Sequence, residues 1–199
     1  MRRSCSATDV AAVLRHLPNL ITALRMLLVL PLCWLIGAGR YDGALLVAAI
    51  AAASDALDGW LAKRFGWQSW IGGMLDPIAD KLLLMAAFVW LALSGELPSW
   101  LAVLVVGRDI AIVSGAIAYH NLVGRFDAAP SRLSKATTAI QLAFVLAELL
   151  RLSHWIATPA PLRTGMIALT AGFTLASGLH YIVVWGARAR GTLRGGRTR

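Results

Sequence analysis

Apolar residues in this chain come in long runs, not in alternating stripes. Runs approaching twenty residues, broken by short polar stretches, predict six helices. They span Asn19 to Ile36, about Gly43 to Arg64, about Trp70 to Leu93, Pro98 to Tyr119, a helix opening at Ser131 and running to Leu150, and about Thr164 to Trp185. Helices of that length cross a hydrocarbon layer about 30 Å thick, and inside it they satisfy their own backbone polar groups. The pattern therefore predicts an all-α integral membrane protein, a single domain over residues 1–199 built as a bundle of six transmembrane helices. Before the first run, Val10, Val13, Leu14 and Leu17 recur at roughly helical spacing, so residues 1–18 are expected as an N-terminal surface segment, an interfacial helix lying on the membrane. Residues 186–199 read as a basic tail, expected to be disordered and to touch anionic lipid.

Composition agrees with the pattern. Of the residues 58% are hydrophobic, and no small-residue cleavage pattern marks a removable signal peptide. Mean hydropathy is +0.69. The net charge of +9 could suggest nucleic-acid binding, but its cations flank apolar spans, which points to lipid headgroups and to no nucleic-acid partner. Six spans put both termini on one side. Assigning that side to the cytoplasm places most of the 19 Lys and Arg there, against Arg40, Arg151 and Arg163 on the other face. Cys5 and Cys33 make no disulfide framework, and Cys33 is expected as a buried free thiol. Trp60, Trp67 and Trp70 read as interface anchors, and Gly165, Gly172 and Gly178 as points of close helix packing.

One stretch departs from the apolar pattern. Asp55, Asp58, Asp76 and Asp80 are four of only ten acidic residues, and they sit between the apolar runs Ala44 to Ala53 and Leu82 to Leu93. Uncompensated at the bilayer centre, four carboxylates would cost about 10–14 kcal/mol as an upper bound. Asp55 and Asp58 are three apart and Asp76 and Asp80 four apart, so each pair shares a helical face. Gly59 and Ala62 fall on the face of the first pair and leave room for a bulky ligand beside the backbone. Clustered carboxylates repel unless cations sit between them, and hard divalent ions prefer such oxygen ligands. A pair of metals holding a diphosphate fits this layout. The competing account is ordinary ion pairing with Lys63, Arg64 and Lys81, but three cations cannot neutralise four acids and also leave this spacing unexplained.

Asp55, Asp58, Gly59, Ala62, Gly72, Asp76 and Asp80 stand at the intervals of a motif, and with it the chain resembles the CDP-alcohol phosphatidyltransferases, near the branch that holds phosphatidylglycerophosphate synthases and CDP-dependent cardiolipin synthases. One position departs: Lys63, followed by Arg64, stands where the family has arginine, so the charge is kept while the bidentate fork moves or is lost. The resemblance implies an enzyme that uses two divalent ions, Mg²⁺ or Mn²⁺, held by Asp55, Asp58, Asp76 and Asp80, with Asp80 as the base. It implies a nucleotide and diphosphate site made by Asn19, Thr22, Arg25, Gly59, Ala62, Lys63, Arg64 and Gly72. On residues alone, Asn19, Thr22 and Arg25 form a polar stripe that a cap and a snorkelling arginine would explain equally well.

The resemblance further implies an acceptor-phosphate pocket of Arg108, Ser131, Arg132 and Lys135. From the residues, Arg108 and Asp109 lie mid-span and, being sequence neighbours, are expected to reach different partners, with a buried ion pair to Asp109 or Glu148 as the alternative for Arg108. Ser131 and Lys135 would equally serve as a helix cap and a snorkelling lysine. The implied partners are CDP-diacylglycerol, glycerol 3-phosphate or, ranked narrowly second, phosphatidylglycerol, membrane lipids and a second copy of the chain in a homodimer. The implied place is a bacterial inner membrane with termini and active site cytoplasmic. A reading of a different class is a divalent-cation transporter, since intramembrane acids also mark ion pathways. The Gly59 and Ala62 recess argues against it, because a pore has no use for a nucleotide-sized space.

Overall fold

The computed structural model describes the backbone of residues 17–65, 70–123 and 131–195, and the side chains of residues 24–54, 81–115 and 131–183. The N-terminal surface segment lies outside it up to residue 16, as do side chains of the carboxylate stretch and of Trp60, Trp67 and Trp70. All regular structure among the described residues is helical: α1 Leu17–Gly37, α2 Tyr41–Phe65, α3 Trp70–Leu93, α4 Ser99–Val123, α5 Arg132–Leu152 and α6 Ala160–Gly195. These are the six predicted runs with ends moved by a few residues, except at one place. Helix α6 is 36 residues long and continues to Gly195, so the segment after Trp185, expected to be disordered, is helical for most of its length. Alternation of Ala187 and Ala189 with Arg188 and Arg190 explains this, since alanine and arginine both favour helix.

Length and composition single out α5 and residues Ala160–Val183 of α6 as able to cross a membrane, while Leu24–Gly37, Tyr41–Ser54 and Lys81–Leu93 are shorter apolar stretches among the described residues. Leu27, Leu30 and Trp34 of α1, Val103 of α4 and Leu179, Ile182 and Val183 of α6 are all at least 60% exposed. Apolar surface on that scale is unusual on a protein bathed in water.

Helix α1 packs against both α2 and α3, α4 against α3 and α6, and α5 against α2, α3 and α6. The core draws Leu32 and Ile36 from α1, Ala44, Ala48 and Ala51 from α2, Leu84, Phe88 and Leu91 from α3, Leu101 and Val105 from α4, and Phe144, Val145 and Leu149 from α5. The alanines of α2 recur at four and three residues, a small-residue stripe that admits close neighbours. Phe88 and Phe144 stack at 5.8 Å and join α3 to α5. By contrast, among the described residues α6 buries only Ala171 fully in the apolar core, with Met166 and Ile167 packed against it. Its contact with α5 is a polar seam: Ser134, Thr137, Gln141 and Glu148 face inward from α5, and Thr170, Thr174 and Ser177 from α6, all buried. Gln141 donates to Thr174 Oγ1 at 3.0 Å, and Thr137 bonds to the Phe173 carbonyl at 3.2 Å.

Three helices end in the same way. Beyond α1, α3 and α5, a residue with positive φ closes the helix: Gly39 at +69°, Gly95 at +79° and His154 at +57°. In each, the following amide turns back to a carbonyl of the last turn, as from Arg40 to Leu35 at 2.9 Å, Glu96 to Leu91 at 3.0 Å and Trp155 to Leu150 at 3.3 Å. These three connections meet at one end of the bundle. Tyr41 donates to Glu96 at 3.4 Å, and Trp155 Nε1 to Asp42 at 3.1 Å. Buried Glu148 accepts from Arg151 Nε at 2.5 Å and from Arg163 Nε at 2.6 Å, and Arg151 also reaches Glu96 at 3.2 Å. Glu148 is thus spent at this end and is not a partner of Arg108. His154 is exposed, as expected of a surface histidine, and Cys33 is a free thiol that is half-buried where full burial was expected.

Candidate active site

The second concentration of charge lies deeper in the bundle, where α3, α4, α5 and α6 converge. Arg108 is 5% exposed and Asp109 4%. Contrary to the expectation that these neighbours reach apart, Arg108 Nη1 donates to Asp109 Oδ1 at 2.5 Å. The long arginine stem allows this: its guanidinium folds back to the adjacent turn, which direction along the helix alone does not reveal. The same carboxylate oxygen accepts from Lys81 Nζ of α3 at 2.8 Å. Arg108 Nη2 donates to Ser134 Oγ at 2.8 Å and to Ser177 Oγ at 2.6 Å. The guanidinium thus ties three helices together, and Asp109 adds the fourth, α3, through Lys81. A mid-span pair of this kind is costly to bury unless every charge is met.

Among the described residues the network is not electrically closed. Lys81 and Arg108 bring two positive charges against the single negative charge of Asp109, and Arg108 Nε is buried without a hydrogen-bond partner among the described residues. An excess cation with a spare donor in a buried setting favours an anion nearby. Gly178 of α6 lies beside the same arginine, and a Cβ there would stand in ordinary contact with Arg108 Cγ at 3.7 Å. Gly165 and Gly172, expected at close helix contacts like Gly178, face open space instead.

The remaining acceptor-side positions are arranged around this arginine unequally. Ser131 is the N-cap of α5; its side chain accepts from the Ser134 amide at 3.1 Å, and its own amide donates to Tyr181 Oη at 3.3 Å. The cap fixes the first turn that carries Ser134 to Arg108. Arg132 and Lys135 are exposed on that turn, which places two cations at a helix N-terminus. Residues the motif reading did not put in the site are Lys81, Asp109, Ser134, Ser177 and Tyr181. The legible signal for Ser134, Thr137 and Gln141 was their recurrence at three and four residues; nothing in the sequence marked Ser177 or Tyr181 as their partners.

On the donor side, Arg25 of α1 is 1% exposed and has an interaction partner, so it does not snorkel to a surface. The side chains of Asn19, Thr22, Asp55, Asp58, Gly59, Ala62, Lys63, Arg64, Gly72, Asp76 and Asp80 lie outside the described residues. Their backbone positions fall in α1, in the last half of α2 and in the first half of α3, all within helix. No set of three His, Cys, Asp or Glu side chains able to hold an ion occurs among the described residues, which do not include these four aspartates. The donor chemistry suits a hard divalent ion: Asp55 to Asp80 offers four carboxylates on two helical segments and has no histidine or cysteine. Lys81, next to Asp80 in sequence, is committed to Asp109 on α4.

A cavity of about 430 Å³ lies elsewhere, between α3 and α4. Val89, Leu93, Ala102, Val103, Val106 and Ile110 line it, with Ser99 the polar contribution, so it offers an apolar surface and no charged group.

Residues 15–185 match the family model of the CDP-alcohol phosphatidyltransferases. A protein named CDP-diacylglycerol–glycerol-3-phosphate 3-phosphatidyltransferase from Pseudomonas fluorescens is 35% identical over 184 residues, covering 84% of this chain and 88% of the relative. A probable phosphatidylglycerophosphate synthase of Mycobacterium tuberculosis is 36% identical over 107 residues, 51% of each chain, so the match spans about half the length of that relative. A cardiolipin synthase (CMP-forming) of Streptomyces coelicolor is 35% identical over 153 residues, 72% of this chain and 70% of the relative. The matched region contains every position of the aspartate motif and the whole network around Arg108, and on that ground this chain belongs to the CDP-alcohol phosphatidyltransferase family.

Proposed function

We propose that this protein transfers the phosphatidyl group of CDP-diacylglycerol to glycerol 3-phosphate, forming phosphatidylglycerophosphate and releasing CMP. The observation that carries the reading is the family match over residues 15–185, which encloses the seven motif positions at their full spacing. The name of the Pseudomonas relative, similar over most of both chains, supports the acceptor.

In this reading Asp55, Asp58, Asp76 and Asp80 would hold two divalent ions, Mg²⁺ or Mn²⁺. When bound, such ions screen the diphosphate and make CMP a better leaving group. Gly59 and Ala62 leave space for the cytidine nucleotide, and Lys63 or Arg64 steadies its phosphates. Asn19, Thr22, Arg25 and Gly72 complete that side. The acceptor hydroxyl attacks the phosphorus that carries diacylglycerol; the bond to CMP breaks, and Asp80 takes the hydroxyl proton. Arg108, with Ser131, Arg132 and Lys135, receives the acceptor phosphate. The net positive charge of the Arg108, Asp109 and Lys81 group supports that role.

The bundle would span the membrane six times, with termini and site on the cytoplasmic face of a bacterial inner membrane, and the exposed apolar faces of α1, α4 and α6 against lipid or a second copy in a homodimer. A second reading, cardiolipin synthesis with phosphatidylglycerol as acceptor, is favoured by the Streptomyces relative's name. Purified protein in detergent with CDP-diacylglycerol, Mg²⁺ or Mn²⁺ and a panel of acceptors separates the two. Phosphatidylglycerophosphate as the product supports the first reading; cardiolipin formed from phosphatidylglycerol would replace it with the second.

A further inference from the structure

Asp109 does not belong to the aspartate motif, yet it is the carboxylate on which the described polar network turns. Its side chain is 5% exposed, and one of its oxygens accepts from both Arg108 Nη1 and Lys81 Nζ. Lys81 follows Asp80 directly in α3, and Arg108 precedes Asp109 in α4. The guanidinium is then fixed on its other nitrogen by Ser134 of α5 and Ser177 of α6. With both terminal nitrogens held, Arg108 has one orientation, and its Nε, without a hydrogen-bond partner among the described residues, is a donor open to another group.

We propose that Asp109 is a positioning residue for phosphatidyl transfer. Its carboxylate, with Ser177 as a neutral second support, sets the Arg108 guanidinium for the acceptor and links it through Lys81 to the helix segment that carries Asp80. The inference rests on the transferase reading and deepens it on the acceptor side. Physically, neutralising Asp109 would leave Lys81 and Arg108 as two like charges with no anion between them, at a separation where a single oxygen now touches both. Arg108 would then swing from the fixed position, so the effect is expected first on the acceptor.

The test is a kinetic series on the full-length protein: wild type, Asp109→Asn, Asp109→Glu and Ser177→Ala. CMP release is followed while the acceptor (glycerol 3-phosphate or phosphatidylglycerol, whichever supports turnover) and CDP-diacylglycerol are varied separately. Asp109→Asn is expected to raise the acceptor KM by about tenfold or more and to leave the CDP-diacylglycerol KM within about twofold. Asp109→Glu should recover most of the loss, since it restores the charge. Ser177→Ala, which changes no charge and removes one contact, should raise the acceptor KM about threefold. Should Asp109→Asn fail to fold, Ser177→Ala decides alone, and an unchanged acceptor KM there overturns the inference. Unchanged KM values in a folded Asp109→Asn protein, with kcat falling only in step with the folded fraction, overturn it too. A wild type that releases no CMP with any acceptor removes the transferase reading and this inference together; an active wild type with unaltered variants removes the inference alone.

Discussion

Two buried acids, Asp109 and Glu148, each sit between two cations, and the chain uses them differently. Glu148 is 1% exposed and takes Arg151 and Arg163, whose side chains are 25% and 31% exposed. Its partners can be hydrated and both belong to helix ends. Asp109 takes Arg108, which is nearly sealed, and Lys81. At residue scale this predicts opposite signatures. Glu148→Gln should lower stability by about 1–3 kcal/mol, less than loss of one partner from a fully buried pair because both arginines reach solvent. It should lower the melting temperature in detergent and leave the KM for the acceptor and for CDP-diacylglycerol unchanged. A shifted acceptor KM in Glu148→Gln would mean that the two charge clusters are coupled.

At the scale of elements, the apolar runs announced all six helices, and α3 runs from Trp70 to Leu93 as expected. Hydrophobicity could do this because each run is long for a helix and is closed by a polar stretch with glycine, serine or proline. It could not show which faces meet. The α5–α6 seam is built from Ser134, Thr137, Gln141, Thr174 and Ser177, residues whose polarity reads as outward in water and as inward beside lipid. The resemblance likewise marked Arg108 and Ser131, and the pairing of Arg108 with Asp109 stood only as the alternative, since it depends on a side-chain rotamer and on the approach of α3 and α6. The ends of helices were legible where glycine marks them, at Gly39 and Gly95, and hidden at the third, where His154 adopts the same left-handed backbone. That residue bears a strain glycine would not. His154→Gly is therefore expected to stabilise the protein by about 0.5–1 kcal/mol, the relief of strain exceeding the added freedom of the unfolded chain. A melting temperature that falls in this variant would show that His154 makes a compensating contact.

The whole molecule divides its charge between two ends with separate tasks. Where α1–α2, α3–α4 and α5–α6 connect, Glu96, Glu148, Arg151 and Arg163 bind the turns together as a balanced set of two acids and two bases. Deeper in, Lys81, Arg108 and Asp109 leave one positive charge over, and the motif aspartates gather negative charge in α2 and α3. Opposed charges of this kind suit a reaction that must hold a diphosphate through cations and an acceptor phosphate through basic side chains. Helix α6 continues to Gly195 and carries Arg188, Arg190 and Arg194 in its last turns.

The central claim is that the motif aspartates perform metal-dependent phosphatidyl transfer. The most direct measurement is CMP release from CDP-diacylglycerol by the purified full-length protein, wild type against Asp80→Asn, with and without Mg²⁺ or Mn²⁺. The account predicts release by the wild type only when a divalent ion and an acceptor are both present, and a loss of at least about a hundredfold in a variant that still folds. Undiminished CMP release by folded Asp80→Asn, or release that ignores removal of the metal, would contradict it.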